Sequence, residues 1–409
     1  MFVIRWTENK HRGEGVLPER PDLAPSRAAD ARAFHRLWPE YAPTPLWRMA
    51  HLARRLGVGE VFVKDESARF GLGAFKVLGA SYALGRWSAE HGLPVDPVAA
   101  RRPAGATAPP WTFVTATDGN HGHGLAWAAA RLGHRTLVFV PEDCAVARIR
   151  RIESTGAVVY AVPGSYDQAV ERAAQVARDS GATLIQDTAW AGYEEIPAWI
   201  MQGYLTLAAE AMDQLEAACA EPLTHIFLQA GVGSLAGAVA GYVGRVYGEG
   251  GPTLAVVEPE GAAAVFLAAT SADGPSVRVP GPLATIMSGL ACGQVNPLAW
   301  PILRHTVAVF ASCPDAVAAR GMRVLGNPLA DDPRIVAGES GAVTAGFLAA
   351  VMEEPGLADL KRVLGLGASS RVLLINTEGA TDPAGYRRIV WDGEFPWQRP
   401  VRSLPLPGV

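Results

Sequence analysis

A lysine in an apolar setting is the residue of this chain best suited to covalent chemistry. The run Phe70-Gly-Leu-Gly-Ala-Phe-Lys76-Val-Leu-Gly-Ala places Lys76 between Phe75 and Val77, where a helical pattern begins. Desolvation there is expected to lower its pKa and expose a neutral amine as nucleophile or base. Lysine is otherwise scarce. Only Lys10, Lys64, Lys76 and Lys361 occur among 36 basic residues, and arginine cannot form a Schiff base because its guanidinium stays protonated. Lys10 lies in a polar leader, Lys64 is expected to pair with the adjacent Asp65 and Glu66, and Lys361 sits beside Arg362 on a charged helix. The alternative for Lys76 is a surface lysine in the first turn of a helix.

A second segment offers donors and one acid. Thr117-Asp118-Gly119-Asn120-His121-Gly122-His123-Gly124 follows the apolar run TFVTA. Its glycines permit positive φ and close backbone approach. The helix start that follows offers free N–H groups, suited to a substrate carboxylate. Asn120 can donate to a ring oxygen, and Asp118 is a carboxylate on a loop that otherwise donates. The alternative is a capped turn with Asp118 or Asn120 as N-cap. His121 and His123 are two apart, point to different helix faces and have no third ligand nearby, so no metal site is expected.

The third segment is Gln229-Ala230-Gly231-Val232-Gly233-Ser234-Leu235-Ala236-Gly237, between a strand and a helix. Backbone N–H groups of such a turn, with the helix dipole behind them, cradle phosphate. The third glycine is one position late for G-x-G-x-x-G, and no G-x-x-x-x-G-K-[ST] occurs, so one phosphate fits better than a pyrophosphate or triphosphate. A turn needed only for helix–sheet packing is the alternative.

The elements that must position these segments alternate from about residue 60. Strands are predicted at EVFVKDE, TFVTA (112–116), TLVFV (136–140), AVVYAV (157–162), TLIQ (183–186), HIFLQ (225–229), TLAVVEP (253–259) and RVLLINTEG (371–379). Helices are predicted at 74–87, 121–132, 196–219 and 234–247. Apolar strands separated by helices imply an α/β fold with a mainly parallel sheet covered on both faces. Ligands in such folds sit beyond the carboxyl ends of strands, where all three segments fall. A Pro/Ala/Gly-rich stretch, 92–110, reads as an insertion or linker.

Bulk properties narrow the classes. Half the 409 residues are apolar, enough for two domains or one large α/β unit. A net charge of −4 without basic clusters disfavours nucleic acid and anionic membranes. The uncharged stretch Ile226–Gly244 reads as strand, turn and helix rather than a membrane span. The N-terminal residues lack a signal-peptide core. Cysteines 144, 219, 292 and 313 lack CxxC spacing, which fits a reducing cytoplasm.

Six ordered segments, FGLGAFKVLGASYAL, TATDGNHGHGLAWAA, QAGVGSLAG, TIMSGLACG, GESGAV and INTEGATDPAGYR, closely resemble the diaminopropionate ammonia-lyase family. That family belongs to the fold-type II (tryptophan-synthase-β-like) pyridoxal-phosphate enzymes. The resemblance implies two open, mainly parallel, twisted sheets flanked by helices. It implies a small domain, 86–194, inserted into a larger one formed by 1–85 and 195–409. It implies Lys76 as the Schiff-base lysine and Gly231, Val232, Gly233, Ser234 and Leu235 as the phosphate loop. Asn120 is implied near the pyridine 3′-oxygen and Thr377 near the ring nitrogen, the alternative for Thr377 being an ordinary strand-end threonine.

The implied reaction is α,β-elimination of 2,3-diaminopropionate, D or L, to pyruvate and two ammonia. Asp118 stands where related serine and threonine dehydratases have Ser. A carboxylate there can pair with the extra β-ammonium or move a proton on the face opposite Lys76. Thr117 and Gly119 are implied in the substrate loop. Asp187 is a second candidate for the β-ammonium, its alternative being a helix start. Gly73 and His123 depart from the family pattern, which has asparagine and arginine there. A cytoplasmic homodimer is expected. The rival readings are a serine or threonine dehydratase, a non-catalytic pyridoxal-phosphate-binding protein, and a nucleotide-dependent oxidoreductase disfavoured by the glycine spacing.

Overall fold

Near-continuous apolar strands must be covered on both faces. In a computed structural model of the protein, residues 3–18, 23–99, 110–218 and 221–397 are described. Within them the chain forms strands β1 (Arg5–Glu8), β2 (Leu46–Arg48), β3 (Glu60–Asp65), β4 (Thr112–Ala116), β5 (Arg135–Pro141), β6 (Val158–Val162), β7 (Thr183–Leu184), β8 (His225–Gln229), β9 (Thr253–Pro259), β10 (Val307–Cys313) and β11 (Arg371–Asn376). They make a seven-stranded sheet in the order β1-β10-β9-β8-β11-β3-β2 and a four-stranded sheet in the order β6-β5-β4-β7. Pairing is parallel except at the two edges of the larger sheet, where β1 and β2 run antiparallel to β10 and β3. The mainly parallel α/β class expected from the sequence is therefore present, as two sheets.

Side-chain alternation divides the core. Phe62, Ile226, Leu228, Val256 and Leu373 join one apolar cluster, while Val61, Val63, Phe227, Val257 and Leu374 join another. The period-2 geometry of a strand sends neighbours to opposite faces, so a run such as HIFLQ, buried throughout, feeds both.

Two glycine crossings bring the three sequence segments together. A Cβ on Gly203 would lie 2.5 Å from the Leu78 carbonyl oxygen, so helix Glu195–Ala218 sits directly on helix Lys76–Glu90. A Cβ on Gly124 would lie 2.8 Å from Val77 Cα, so helix Asn120–Arg131 crosses the same helix at its first turn. Any larger residue at either position would push the Asp118 turn or the long helix away from Lys76.

Most predicted elements match within two or three residues. β7 is shorter than TLIQ, because the Gln186 side chain, rather than strand backbone, takes the Ala116 N–H at 2.9 Å. β11 ends at Asn376, before the polar TEG. The leader supplies both edges of the larger sheet, and its helix Pro25–His35 packs on helix Glu195–Ala218. β10 had no counterpart in the sequence reading. Lys64 does not take Asp65 or Glu66 as its hydrogen-bonded partner. Its ammonium donates to Glu210 Oε2 at 2.8 Å and to the Thr44 carbonyl at 2.7 Å, while Glu66 pairs with Arg69. Alternation along a strand explains this, since Asp65 must face away from Lys64. Residues 100–109, most of the 92–110 stretch, lie outside the described residues.

Candidate active site

The three segments meet in one cavity. Phe75 and Lys76, Asp118 and Asn120, Asp187, the run Gln229–Leu235, Ser340, Thr377 and Glu378 all line it. The carboxyl ends of β4, β8 and β11 deliver Asp118 with Asn120, the glycine turn, and Thr377 with Glu378, as expected for a parallel sheet, while Lys76 and Ser340 come from the first turns of helices Lys76–Glu90 and Glu339–Glu353 and Asp187 follows β7.

Lys76 opens its helix and donates to Asp187 Oδ2. Asp187 Oδ1 accepts from Tyr166 Oη at 2.8 Å. The apolar flanks of Lys76 predict a lowered pKa, but the sign is reversed. Burial does work against the ammonium, yet Asp187, with smaller help from Tyr204 and Asp118, holds the amine above its ordinary value. Burial likewise pushes the Asp187 carboxyl up, and the Lys76 ammonium outweighs it, leaving Asp187 below the usual carboxylate range. Asp187 is not at a helix start, since the next helix begins at Glu195.

Asp118 behaves in the opposite way. Burial raises it above the ordinary carboxylate value, Glu378 and Asp187 add to the rise, and Lys76 and Arg148 oppose it. The pair of carboxylates thus has divergent proton affinities, which suits one to proton transfer and the other to holding a cation.

The glycine turn has the form of an anion cradle. Gly233 is left-handed at φ 91° and starts helix Ser234–Tyr247 without a side-chain cap. The first N–H groups of that helix have no intrahelical acceptor and face the cavity end of the dipole. A Cβ on Gly231 would stand 3.1 Å from both Cys292 Sγ and Leu290 Cα. Ser234 Oγ donates to the Asp187 carbonyl at 2.8 Å, tying the turn to the Asp187 loop.

At the far side, Asn120 Nδ2 donates to Glu378 Oε2 at 2.5 Å, which leaves its second amide hydrogen for a ligand. Thr377 Oγ1 accepts from Gln229 Nε2 at 3.0 Å, which leaves the hydroxyl proton to donate. Thr117 and Gly119 are not among the lining residues. Thr117 Oγ1 instead accepts the Gly119 N–H at 2.9 Å, so the two shape the turn that carries Asp118.

Sequence reasoning missed several lining residues. Glu378, Ser340 and Ser288 fall within INTEG, GESGAV and TIMSG, where nothing local marks them. Gln229 was read only as the residue before the glycines. Tyr166 gave no signal, since it opens an amphipathic helix far along the chain. Tyr204 gave none either, since it lies inside a long and largely buried helix. Histidines 121 and 123 diverge as expected: one contacts the Ile185 carbonyl at 2.9 Å, the other lies 3.4 Å from Arg151. Gly73, the other departure from the family pattern, lies against the same arginine, its Cβ position 2.9 Å from Arg151 Nη2.

The family described as pyridoxal-phosphate dependent enzyme matches residues 37–377. Diaminopropionate ammonia-lyase of Escherichia coli K12 is 46% identical over 375 residues, covering 91% of this chain and 94% of that protein. The crystal structure of selenomethionine-incorporated holo diaminopropionate ammonia lyase from Escherichia coli aligns with a TM-score of 0.89 at 43% identity, over 96% of this chain and 98% of that one. The processed form of threonine deaminase isoform 2 from Solanum lycopersicum shares the fold, with a TM-score of 0.69 at 19% identity over 94% of this chain and 91% of that one.

The cavity fits pyridoxal phosphate on its own evidence. Asn120 Oδ1, Tyr204 Oη, Gln229 Oε1 and Ser340 Oγ are buried there without a hydrogen-bond partner in the protein. Buried polar atoms left so are costly, and a polar ring with a phosphate tail supplies partners. The amine, the uncapped glycine-started helix and the strand-end hydroxyl are set around one space. Site, fold and chain-wide identity agree, and the chain belongs to the diaminopropionate ammonia-lyase family of pyridoxal-phosphate dependent enzymes.

Proposed function

We propose that the protein converts 2,3-diaminopropionate and one water to pyruvate and two ammonia by α,β-elimination. The observation that carries this reading is the pair of carboxylates, Asp118 and Asp187, lining one cavity with Lys76. A substrate with a second ammonium needs such acids, whereas a hydroxyl leaving group does not.

Lys76 would carry the cofactor covalently, the turn Gly231–Leu235 its phosphate, and Asn120 and Thr377 its ring oxygen and ring nitrogen. When bound, pyridoxal phosphate supplies the electron sink for loss of the α-proton. With Lys76 committed to the cofactor, Asp187 would be a buried carboxylate held by Tyr166 with no free lysine ammonium to pair with. The substrate β-ammonium is an ammonium of the same kind, and Asp187 is placed to receive it. The Lys76 amine, freed when substrate binds, takes the α-proton on one face. Asp118, whose proton affinity burial raises, serves the other face, and the β-ammonium, already carrying its proton, leaves as ammonia. Two bases allow both enantiomers. Helix Asn120–Arg131 starts with uncapped N–H groups suited to the substrate carboxylate.

The strands of the four-stranded sheet all fall between residues 112 and 184, which supports a small domain of 86–194 within a larger one of 1–85 and 195–409. Among the described residues no helix is long and apolar enough to cross a membrane. A cytoplasmic homodimer is the assembly proposed. The test is pyruvate release from D- and L-2,3-diaminopropionate against serine. The diamino acids should react far faster, and the reverse order overturns this reading in favour of a dehydratase.

A further inference from the structure

Arg148 belongs to none of the sequence segments that carry chemistry. In the fold it is buried, 7% exposed, and it lies under the Asp118 turn. A Cβ on Gly119 would stand 3.0 Å from Arg148 Cδ and 3.3 Å from Arg148 Cβ, so the arginine stem fills the space that a side chain next to Asp118 would take. Its guanidinium reaches beyond the helix Val146–Glu153 that bears it. Nη1 donates to Ser288 Oγ, Nε lies 3.4 Å from Thr381 Oγ1, and Nη2 lies 3.7 Å from Glu339 Oε2. Ser288 lines the cavity, and the next residue, Gly289, abuts Asp118: a Cβ there would sit 3.3 Å from Asp118 Oδ2.

The charges around Asp118 make the position of Arg148 consequential. Asp118 faces Lys76 and Arg148 as cations, and Glu378 and Asp187 as anions. Cys144, whose Sγ lies 3.6 Å from the Asp118 carbonyl oxygen, is held well above its ordinary value by burial and stays a neutral thiol. Arg148 in turn faces Glu378, Glu339 and Asp118. Lys76 is already paired with Asp187 and would be committed to the cofactor. Of the two cations facing Asp118, Arg148 is the one without a covalent role, and arginine stays charged when buried.

We infer that Arg148 is a positioning residue for Asp118, bracing the Asp118 turn against the Ser288–Gly289 segment and keeping the Asp118 carboxylate available as a base. The inference rests on the proposed role of Asp118. Arg151 provides an internal comparison. It stands one turn along the same helix and also ties it to the larger sheet's side of the site, through Leu72 O, but it approaches His123 rather than Asp118.

The experiment compares the wild-type holoenzyme with Arg148→Met, Arg148→Lys and Arg151→Met. Cofactor absorbance and melting temperature establish that each variant is loaded and folded. The pH dependence of kcat/KM is then measured for both enantiomers of 2,3-diaminopropionate. Loss of an adjacent cation raises a carboxylate pKa by roughly one unit or more. Arg148→Met should therefore move the acid limb to higher pH by about that much and change the ratio of the two enantiomers' rates. Arg148→Lys should restore part of the shift, and Arg151→Met should leave the limb in place. An unmoved limb in Arg148→Met, or an equal shift in Arg151→Met, overturns the inference and reduces Arg148 to a scaffold contact. A second readout separates this from failure of the proposed reaction. Carbon-13 carboxyl NMR titration of Asp118, assigned with Asp118→Asn, should show the same upward shift in Arg148→Met whether or not diaminopropionate turns over. An unshifted Asp118 resonance again overturns it.

Discussion

Lys76 and Asp187 form an ion pair at the floor of the cavity, and Tyr166 fixes the carboxylate from its other oxygen at 2.8 Å. The pair favours the protonated form of the amine. Lys76→Ala should abolish the visible absorbance of the purified protein, since no other lysine lines the cavity. Normal colour in that variant would sink the cofactor assignment. Asp187→Asn removes the charge while keeping the shape, so it should raise KM for diaminopropionate more than KM for serine. Equal effects on the two substrates would show that Asp187 serves Lys76 alone.

Asp118 is the acid placed for proton transfer. Asp118→Asn should lower kcat for diaminopropionate by about 10²–10⁴-fold, the usual worth of a positioned acid or base, with cofactor binding retained. Because Lys76 remains, the two enantiomers should suffer unequally. Stopped assays with each enantiomer read this directly, and a uniform loss would place Asp118 in binding rather than proton transfer.

Much of this site is legible in the residues themselves, because two of its parts follow strands immediately and the third opens a helix. Lys76, the Asp118 turn and the glycine turn are contiguous motifs, and local chemistry points to each. What is not legible depends on contacts made across the fold. The direction of the Lys76 shift is one example. Phe75 and Val77 are its neighbours in sequence, but Asp187, 111 residues away, decides its charge. Arg148 and Tyr166 are similar, since each sits on an ordinary amphipathic helix and only the packing of that helix aims it inward. The edge strands β1 and β2 are short, and one-sided pairing leaves little pattern to read.

The glycine turn makes a steric prediction. Gly231→Ala places a methyl 3.1 Å from Cys292 Sγ and from Leu290 Cα. The Leu290 backbone cannot yield as a flexible side chain could, so the turn must shift. Cofactor affinity, measured by reconstituting the apoprotein and following absorbance, should fall by roughly one to two orders of magnitude, the scale of about 1.4–2.8 kcal/mol of lost contact. Unchanged affinity would show that the phosphate is held elsewhere.

Away from the chemistry, stability should depend on Glu210. Its carboxylate, buried in helix Glu195–Ala218, accepts from Lys64 at 2.8 Å, from Arg69 at 2.7 and 3.0 Å and from Tyr41 at 2.8 Å. This network joins the leader and β3 to the helix that packs on Lys76. Burial opposes the charge on Glu210, but Arg69 and Lys64 outweigh it and hold the carboxyl below its ordinary value. A carboxylate depressed in the folded state stabilises fully above its unfolded-state pKa and loses that contribution as pH falls toward the folded value. Glu210→Ala leaves two buried cations short of a partner, at a cost of about 3–5 kcal/mol. Urea unfolding at neutral pH should show that loss. As pH drops below about 4, where free carboxyls protonate, wild-type stability should decline and the gap to the variant should narrow. A gap that stayed constant through that range would mean that packing around Glu210, and not its charge, supplies the stability.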